Sequence, residues 1–566
     1  MGSPVSRTEQ FALIGSGGDA LLVPFEDSPV FLLRQEQVHG QAQRKHNWST
    51  LMHFLVVPRS EGFIVPSSLP ALVLRRDLWD DFGFKTMFDA HLYTSRTEAS
   101  IDLGSVKIIK RGQRGGATEI PSSFVRLDDS YCSLGQAFSY YEALHGLPGE
   151  LRDSILFGLR DIAIDPSLRE SFANEPAMAS SLLRYGNAEL ALRDATALLG
   201  GATPPRDSAL AFTFRTSVGG ESFSIRFGFA DRHPLPGRIN VVVGYNGCGK
   251  TQLLANLANT AHADLINRAD KNFIRRYGEF PEGAGAPRFS SVIAISYSAF
   301  DTFDLPGKNR QEEVRLESSG EVSGYTYCGL RRYDRSIGSD ASHTRSLKGA
   351  EEIQGDIMSA LVRASTSERK QRLMAALSPL SREPSFKRVE LSNTFAFDSD
   401  SWPDSFSGLS TGHKLVLNIV VQLVAHLEPG SLVLIDEPES HLHPPLLAAL
   451  LKSISISLDQ FDSYAVMATH SPVLLQEVPR RYVRVLQRFG DLTLVATPEI
   501  ETFAENVGLL TRHVFNLDSS ATDYHSTLRS MQESFSLDEI MELFDGEMSA
   551  QSISYLSSIR RDRPER

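Results

Sequence analysis

The sequence contains few cysteines and no long apolar run. Three cysteines occur among 566 residues, and the wide spacing of Cys132, Cys248 and Cys328 excludes a disulfide framework and a CxxC metal site. No uninterrupted apolar stretch approaches the roughly 20 residues that span a bilayer, and the N-terminus lacks the apolar core of a signal peptide. We therefore expect a cytoplasmic protein with no membrane segment.

An excess of basic charge is also missing. Lys and Arg number 57 against 69 Asp and Glu, which gives a formal charge of −12. Such a chain does not coat nucleic acid by bulk charge, although a local basic face stays open. Apolar residues make up 41% of the chain, which excludes a disordered polymer.

The length and the positions of Gly and Pro predict several segments. We predict an N-terminal α+β domain of unassigned role (1–205), two lobes of one α/β domain (206–301 and 405–500), a mainly helical insertion (302–404), and a C-terminal helical segment with a tail (501–566).

A phosphate-binding motif follows a predicted buried strand. The apolar run Ile239–Val243 leads into GYNGCGKT at 244–251, which satisfies GxxxxGK[ST], and a helix-like segment follows. Glycines let backbone amides curl around phosphates, and a helix N-terminus adds partial positive charge. We predict that Lys250 reaches the β- and γ-phosphates of ATP and that the Thr251 hydroxyl ligates Mg²⁺. The predicted nucleotide-binding residues here are Gly244, Asn246, Gly247, Cys248, Gly249, Lys250, Thr251 and Gln252. We also expect a thiol reagent at Cys248 to block nucleotide binding.

Two further apolar strands end in polar residues suited to the same site. The first is followed by Asp436, predicted to hold the Mg²⁺ shell, and Glu437, predicted to position or deprotonate the attacking water. The second ends in ATHSP, where His470 is predicted to reach the γ-phosphate. The predicted catalytic residues are therefore Lys250, Glu437 and His470.

A fourth motif, LSTGH at 409–413, precedes a helix-like run. The Ser410 hydroxyl and the backbone amides at this helix start, including that of Gly412, are suited to bind phosphate.

As a set, the P-loop, LSTGH, DEPESHLHP and ATHSP resemble the ABC-type ATPases with SMC-like and OLD-like heads, broadly described as AAA family ATPases. The resemblance implies an α/β P-loop head with a mostly parallel central sheet. It also implies dimers, or higher oligomers, in which ATP lies between Lys250 of one chain and Ser410 and Gly412 of another, with 440–443 as the D-loop.

This sequence departs from that family at two positions of the signature and at the Q-loop. Thr411 and His413 stand where the commonest signature has Gly and Gln. No glutamine stands at the Q-loop position. The resemblance implies that one of four residues after the predicted strand takes over contact with Mg²⁺ or water: Ser296, Tyr297, Ser298 or Asp301.

A narrower resemblance is to the ATPase subunits of bacterial anti-phage systems, of the Septu type and those attached to retrons. It implies a sensor or regulator that hydrolyses ATP and gates a separately encoded effector, a nuclease or toxin. Two alternatives stay open: a self-contained effector with activity in the N-terminal domain, and a DNA-repair-type SMC-like ATPase. A transporter subunit is disfavoured by DEPESHLHP and by the long N-terminal extension.

Two charged segments have competing interpretations. Asp77, Asp80, Asp81 and Lys85 mimic a metal-dependent nuclease site, but a solvated strand and turn is favoured. The basic residues of the insertion suggest contact with DNA or RNA, but a solvated helical face balanced by acidic residues is favoured; they are Arg331, Arg332, Arg335, Arg345, Lys348, Arg363, Arg369, Lys370 and Arg372.

Overall fold

The fold is taken from a computed structural model. It describes residues 52–58, 66–77, 79–97, 99–184, 186–201, 209–230, 235–282, 286–305, 324–333, 345–365, 367–388, 406–515 and 524–561. The predicted strand FLLRQ lies outside these ranges.

The N-terminal region is built on a mixed sheet. Its strands are β1 (His53–Val57), β2 (Ala71–Arg76), β3 (Phe84–Lys85), β4 (Met87–Tyr93), β5 (Ile101–Lys110), β6 (Gly116–Ala117), β7 (Ser123–Phe124) and β8 (Tyr131–Gly135). Six of them form one sheet in the order β7-β1-β2-β4-β5-β8, in which β1 and β2 run parallel and the other pairs antiparallel, while β3 pairs with β6.

Helices cover one face of this sheet because their apolar side chains recur every three or four residues and so form one apolar face on each helix. They are α1 (Phe138–His145), α2 (Gly149–Leu159), α3 (Pro166–Phe172), a π-helix (Met178–Leu182) and α4 (Gly186–Leu199). Tyr140, Tyr141 and Phe172 are fully buried between the helices and the sheet.

A seven-stranded sheet forms the centre of the second region. It follows an antiparallel hairpin, β9 (Ala209–Thr216) and β10 (Phe223–Ala230), as the sequence predicts. Its own strands are β11 (Ile239–Val243), β12 (Val292–Ser296), β13 (Tyr325–Gly329), β16 (Leu432–Asp436), β17 (Tyr464–Thr469), β18 (Val483–Phe489) and β19 (Leu492–Ala496), with the pair β14 (Arg331–Tyr333) and β15 (Arg345–Leu347) lying apart.

The order β13-β12-β16-β17-β11-β18-β19 is parallel throughout except for the last pair. Every residue of β11, β12, β16 and β17 is buried, as expected for parallel strands covered on both faces. The prediction of an α/β fold with a mostly parallel central sheet is confirmed.

Helices pack on both faces of this sheet and extend to the C-terminal part. They are α5 (Lys250–His262), α6 (Leu265–Ala269), α7 (Lys271–Tyr277), α8 (Ala350–Ala364), α9 (Ser367–Arg382), α10 (Pro384–Arg388), α11 (Thr411–His426), α12 (Pro444–Gln460), α13 (Pro472–Leu475), the 3₁₀ turn Arg480–Tyr482, α14 (Val507–Val514), α15 (Tyr524–Ser534), α16 (Leu537–Leu543) and α17 (Ala550–Arg561). None of the helices in the described ranges combines the length and apolarity that a bilayer crossing requires.

The segment 302–404 contains strands as well as helices. Strand β13 lies at the edge of the central sheet and pairs with β12. Helices α8 and α9 then pack against α11 and α12, with Leu373 and Leu380 fully buried. This segment therefore contributes to the main core as well as to its periphery.

Buried ion pairs join the N-terminal region to the second region at two places. The Arg184 guanidinium bridges Asp81 at 2.9 Å and Asp264 at 2.7 Å. At the second place the Arg369 guanidinium contacts Glu142 and Glu428 at 3.3 and 3.1 Å. Asp264 follows directly after the P-loop helix, so the first bridge connects that helix to the N-terminal sheet.

The end of α11 is closed by the same Arg369 side chain. Its Nη1 donates to the carbonyls of Val424, Ala425 and Leu427 at 2.8, 3.2 and 3.0 Å. Helix ends leave carbonyls without partners, and a cation there is favourable. A side chain of the inserted segment thus supplies the cap that the sequence of α11 lacks.

Candidate nucleotide-binding site

The loop between β11 and α5 has the backbone conformation that the motif requires. Gly247 and Gly249 lie at positive φ, +84° and +98°, where side chains are strained. A Cβ on Gly244 would lie 2.5 Å from the Leu486 carbonyl oxygen, and one on Gly249 would lie 2.7 Å from Val218. These positions accept no side chain, so the chain turns tightly and presents backbone amides at the start of α5.

Lys250 is buried and folded back onto this loop. Its Nζ donates to the carbonyl oxygens of Gly244 at 2.9 Å and Tyr245 at 3.3 Å. Both acceptors belong to the loop that would surround the phosphates, so the ammonium group lies at the centre of the predicted cradle.

Thr251 and Asp436 meet across the sheet, as a shared metal site requires. Thr251 Oγ1 donates to Asp436 Oδ2 at 2.8 Å, while Asp436 Oδ1 is buried and has no hydrogen-bond partner in the described part of the chain. Burial raises the pKa of Asp436 to about 7, with Glu437 and Asp301 adding to the effect and Thr251 and Lys250 opposing it. An orphaned carboxylate oxygen beside a hydroxyl suits a hard cation, so these two residues fit the predicted Mg²⁺.

Glu437 and His470 lie together at the ends of neighbouring strands. The Glu437 backbone sits at φ +49°, an uncommon region for a residue with a side chain, and its N–H donates to the Ala468 carbonyl at 2.9 Å. The Glu437 carboxylate is 3.3 Å from His470 Nδ1. Both side chains are partly exposed, so they can meet a ligand at this edge of the sheet.

Sequence reasoning missed Glu439, which ties the two strand ends together. Its Oε1 accepts from Thr469 Oγ1 at 2.5 Å and from the His470 N–H at 2.9 Å, and it lies 3.3 Å from His470 Nδ1. The third acidic residue of DEPES was the available signal. These hydrogen bonds fix the backbone position of His470 at the end of β17, so Glu439 positions that residue.

The signature residues lie at the N-terminus of α11. Ser410 is the N-cap, and its oxygen accepts from the His413 N–H. A Cβ on Gly412 would come within 3.1 Å of the His441 carbonyl oxygen, so the absence of a side chain lets this helix approach the segment after Glu439. Ser410 is exposed and available to a second molecule.

The four residues proposed to replace the Q-loop glutamine lie in different environments. Ser296 ends β12 in register with Asp436 and is buried. Asp301 is fully buried, and it accepts from Tyr327 at 2.8 Å and pairs with Arg331. Because that carboxylate is already paired, Ser296 is the residue whose position beside Asp436 best suits the role.

Cys248 faces the interior, which argues against the expected reaction with thiol reagents. The residue is fully buried in an apolar cluster, and its Sγ would lie 2.6 Å from a Cβ on Gly244. Burial raises the pKa of its thiol. Thiolates are the reactive species, so a buried thiol with a raised pKa is expected to react slowly while its side chain packs in the core.

Two of the four charged residues of the N-terminal region, Asp77 and Asp81, are buried, contrary to the favoured interpretation of a solvated strand and turn. Asp81 pairs with the fully buried Lys107 at 2.8 Å and with Arg184. Asp80 and Lys85 are partly exposed, as that interpretation expects. In the described ranges no group of three or more His, Cys, Asp or Glu could hold a metal ion.

The basic residues of the insertion are partly internal. Arg331 and Arg369 are buried in ion pairs, and Arg372 pairs with Glu142 at 2.9 Å. Lys348 pairs with Asp356, and Arg332, which is half exposed, pairs with Glu352, both at 2.7 Å. The favoured solvated face accounts for these last two pairs and for Arg363, which is exposed. Arg335 and the side chain of Arg345 lie outside the described residues.

Strand order and site together define an α/β domain with a P-loop at the start of α5, after the central strand β11. Residues 239–476 match the family model described as "AAA domain, putative AbiEii toxin, Type IV TA system". Over nearly its whole length the chain is similar to protein ea59 of Escherichia phage lambda, with 29% identity over 545 residues, which are 91% of this chain and 99% of that protein.

Solved structures of ATPase heads are similar to this chain at lower identity. One is the ADP conformation of an ATP-binding cassette of an ABC transporter, with 11% identity, 52% of this chain and 93% of that one covered, and a TM-score of 0.27. Another is the SMC head domain from Thermotoga maritima, with 13% identity, 52% and 100% covered, and a TM-score of 0.24.

Proposed function

We propose that this chain binds and hydrolyses ATP with Mg²⁺, pairs two heads through their nucleotide sites, and thereby gates a separately encoded effector in cytoplasmic anti-phage defence. One observation carries the enzymatic part. Lys250, Thr251, Asp436, Glu437 and His470 converge at one edge of a parallel sheet, where a buried carboxylate oxygen is left for a cation.

Each residue of the site has a separate role in the proposed hydrolysis of ATP. Mg²⁺, when bound, neutralises charge on the β- and γ-phosphates. Thr251 and Asp436 hold it, while Lys250 exchanges its two loop carbonyls for phosphate oxygens. Glu437 orients the attacking water and accepts its proton, and His470 contacts the γ-phosphate from the neighbouring strand.

The position of the signature supports a paired assembly. Ser410 is exposed at a helix N-terminus, where anions are favoured, and Gly412 touches the segment that follows Glu439. One continuous surface then presents both the signature and the D-loop to a second head.

The defence role is supported by resemblance and by the comparisons. The matched family description names a toxin of a type IV system, and one relative is encoded by a phage. The nuclease or toxin itself is assigned to a neighbouring gene because the resemblance to ATPase subunits of anti-phage systems implies a separately encoded effector.

The first test is recovery of the tagged chain from its native operon with and without ATP, followed by mass spectrometry and light scattering. We expect a stoichiometric neighbour-encoded effector and a homo-oligomer. Recovery of the chain alone, together with DNA cleavage by the purified chain, would overturn the gating role in favour of a self-contained effector.

The second test is phage challenge of cells that carry the operon. We expect Lys250→Ala to remove resistance while the protein accumulates normally. Resistance equal to that of the wild type would exclude the ATP site from the defence role.

A further inference from the structure

A chain of hydrogen bonds runs from the signature serine into the inserted segment. Ser410 Oγ lies 2.9 Å from His413 Nδ1, and His413 Nε2 lies 2.8 Å from Ser385 Oγ. Ser385 Oγ in turn contacts the Glu383 carboxylate. The His413 ring is buried and packs against Phe386 at 4.3 Å between ring centres.

The ionisation state of Glu383 sets the donor and acceptor in each of these hydrogen bonds. Burial opposes the charge on Glu383, but hydrogen bonds from the Ser385 hydroxyl and from the Ser385 and Phe386 amides hold its pKa below the usual range. An ionised carboxylate accepts hydrogen bonds and cannot donate them. Ser385 therefore gives its hydroxyl hydrogen to Glu383, and its oxygen accepts from the Nε2–H of His413.

That arrangement decides what Ser410 can donate. In neutral His413 with hydrogen on Nε2, Nδ1 is an acceptor and takes the hydroxyl hydrogen of Ser410. The Ser410 oxygen also accepts from the His413 N–H at 3.4 Å. Ser410 then has no hydrogen left for a phosphate. When both ring nitrogens of His413 carry hydrogen, Nδ1 donates to Ser410 and the hydroxyl hydrogen is free.

We propose that His413 is a positioning residue whose protonation frees the Ser410 hydroxyl to donate to the γ-phosphate of ATP bound by the partner head. The inference rests on the proposed function, since it requires two heads to close on ATP. It also gives the inserted segment a role, because Ser385 and Glu383 set the resting direction of the chain.

Closure on ATP then takes up a proton at each site. Burial lowers the pKa of His413, Glu383 raises it and His443 lowers it, and among the described residues these two are the titratable groups that act on the ring. The ring is therefore neutral in the free chain near pH 7. Linkage makes ATP-dependent pairing tighter as pH falls, by up to about tenfold per pH unit for each site that takes up a proton.

The test measures dissociation constants of the full-length dimer between pH 6 and 8.5, by sedimentation with Mg²⁺ and a non-hydrolysable ATP analogue. Ser385→Ala removes the acceptor for Nε2–H, so neutral His413 can carry its hydrogen on Nδ1. We expect this variant to pair more tightly than the wild type at pH 8 and to lose most of the pH dependence. His413→Gln, which cannot titrate, should also lose it.

Ser381→Ala is the matched control, because this exposed serine lies in the same segment and donates only to the Ser378 carbonyl among its described contacts. Its pH profile should match that of the wild type. Binding of a fluorescent ATP analogue to each variant verifies that the site is folded.

The outcomes distinguish the proposed role of His413 from the proposed pairing of two heads on ATP. Equal pH dependence in the wild type, Ser385→Ala and His413→Gln overturns the inference and leaves the paired ATPase intact. Weaker pairing of Ser385→Ala with an unchanged slope also overturns it, since Ser385 would then act only as a structural contact. Nucleotide binding without pairing at any pH overturns the proposed pairing, and the inference with it.

Discussion

Two buried carboxylates, one in each region, have opposite surroundings. Asp81 is fully buried and accepts from Lys107, Arg184 and Ser181, all within 3 Å. Burial alone would raise its pKa, but these partners bring the pKa below the usual value. Asp436 is also buried, yet one of its oxygens has no partner in the described ranges and its pKa is raised to about 7.

The difference separates a structural carboxylate from one suited to a ligand. A buried charge with a full set of donors stabilises the fold it belongs to, whereas one left partly unpaired is stable only if it is protonated or meets a cation. Burial and charge are shared by the two sites, so the completeness of the partner set distinguishes them.

The largest expected effect is at the structural site. Lys107→Met should lower the free energy of unfolding by about 3–5 kcal/mol, because it leaves Asp81 buried with one charge partner removed. Urea denaturation measures the change, and Lys85→Met is the matched control, since its exposed ammonium is 4.0 Å from Asp80 and should cost less than about 1 kcal/mol. Equal stability of the two variants would contradict the distinction.

Lys250→Ala, at the candidate nucleotide site, should impair activity and leave stability almost unchanged. We expect steady-state ATP hydrolysis to fall by at least about 100-fold, because a cation that stabilises the transferring phosphoryl group is lost, while the midpoint of urea unfolding changes little. Lys452→Ala, on the exposed face of α12, serves as the control and should retain activity. An unfolded Lys250→Ala protein would show that this lysine is structural, like Lys107.

The orphaned oxygen of Asp436 predicts a pH-dependent need for Mg²⁺. Its raised pKa means that the free chain holds a proton there below about pH 7, and Mg²⁺ must displace it. The Mg²⁺ concentration that half-saturates nucleotide binding should therefore rise up to about tenfold per pH unit as pH falls below 7, and level off above it. The same concentration at pH 6 and pH 8 would contradict a metal on this carboxylate.

The smallest expected effect concerns Cys248. A thiol reagent applied to the native protein should leave ATP binding unchanged over the time in which it labels exposed thiols, because the side chain is buried and its pKa is raised. Mass spectrometry after labelling in urea gives the control, since all three cysteines then become accessible. Rapid loss of ATP binding in the native protein would restore the prediction made from the sequence.

The strands and loop of the candidate nucleotide-binding site were predictable because their signals are local. Ile239–Val243 is observed as predicted, and β16 and β17 end where the polar residues of their motifs begin. The start of α16 has an equally local signal, since Ser536 and Glu539 lie three residues apart and exchange hydrogen bonds as a capping box. Each of these features is written within a few consecutive residues.

The internal ion pairs were not predictable because their partners are distant along the chain. Asp81 looked like part of a solvated turn, and its burial depends on Lys107 and Arg184. Pro379 lies inside α9, where a proline removes a backbone donor, yet tertiary packing of α9 against α12 carries the helix through it. No single-sequence pattern indicates such pairings.

The cap on α11 has a consequence for how the chain is made. Glu142 emerges from the ribosome early, and Arg369, which pairs with it and closes α11, is synthesised 227 residues later. The carbonyls that accept hydrogen bonds from this guanidinium are synthesised later still, and so are Asp436 and His470. The N-terminal region and the candidate nucleotide site are thus both completed by residues synthesised late, the first by Arg369 and the second by Asp436 and His470. A chain cut short before Arg369 would leave Glu142 without this partner and the P-loop without the strand ends that face it.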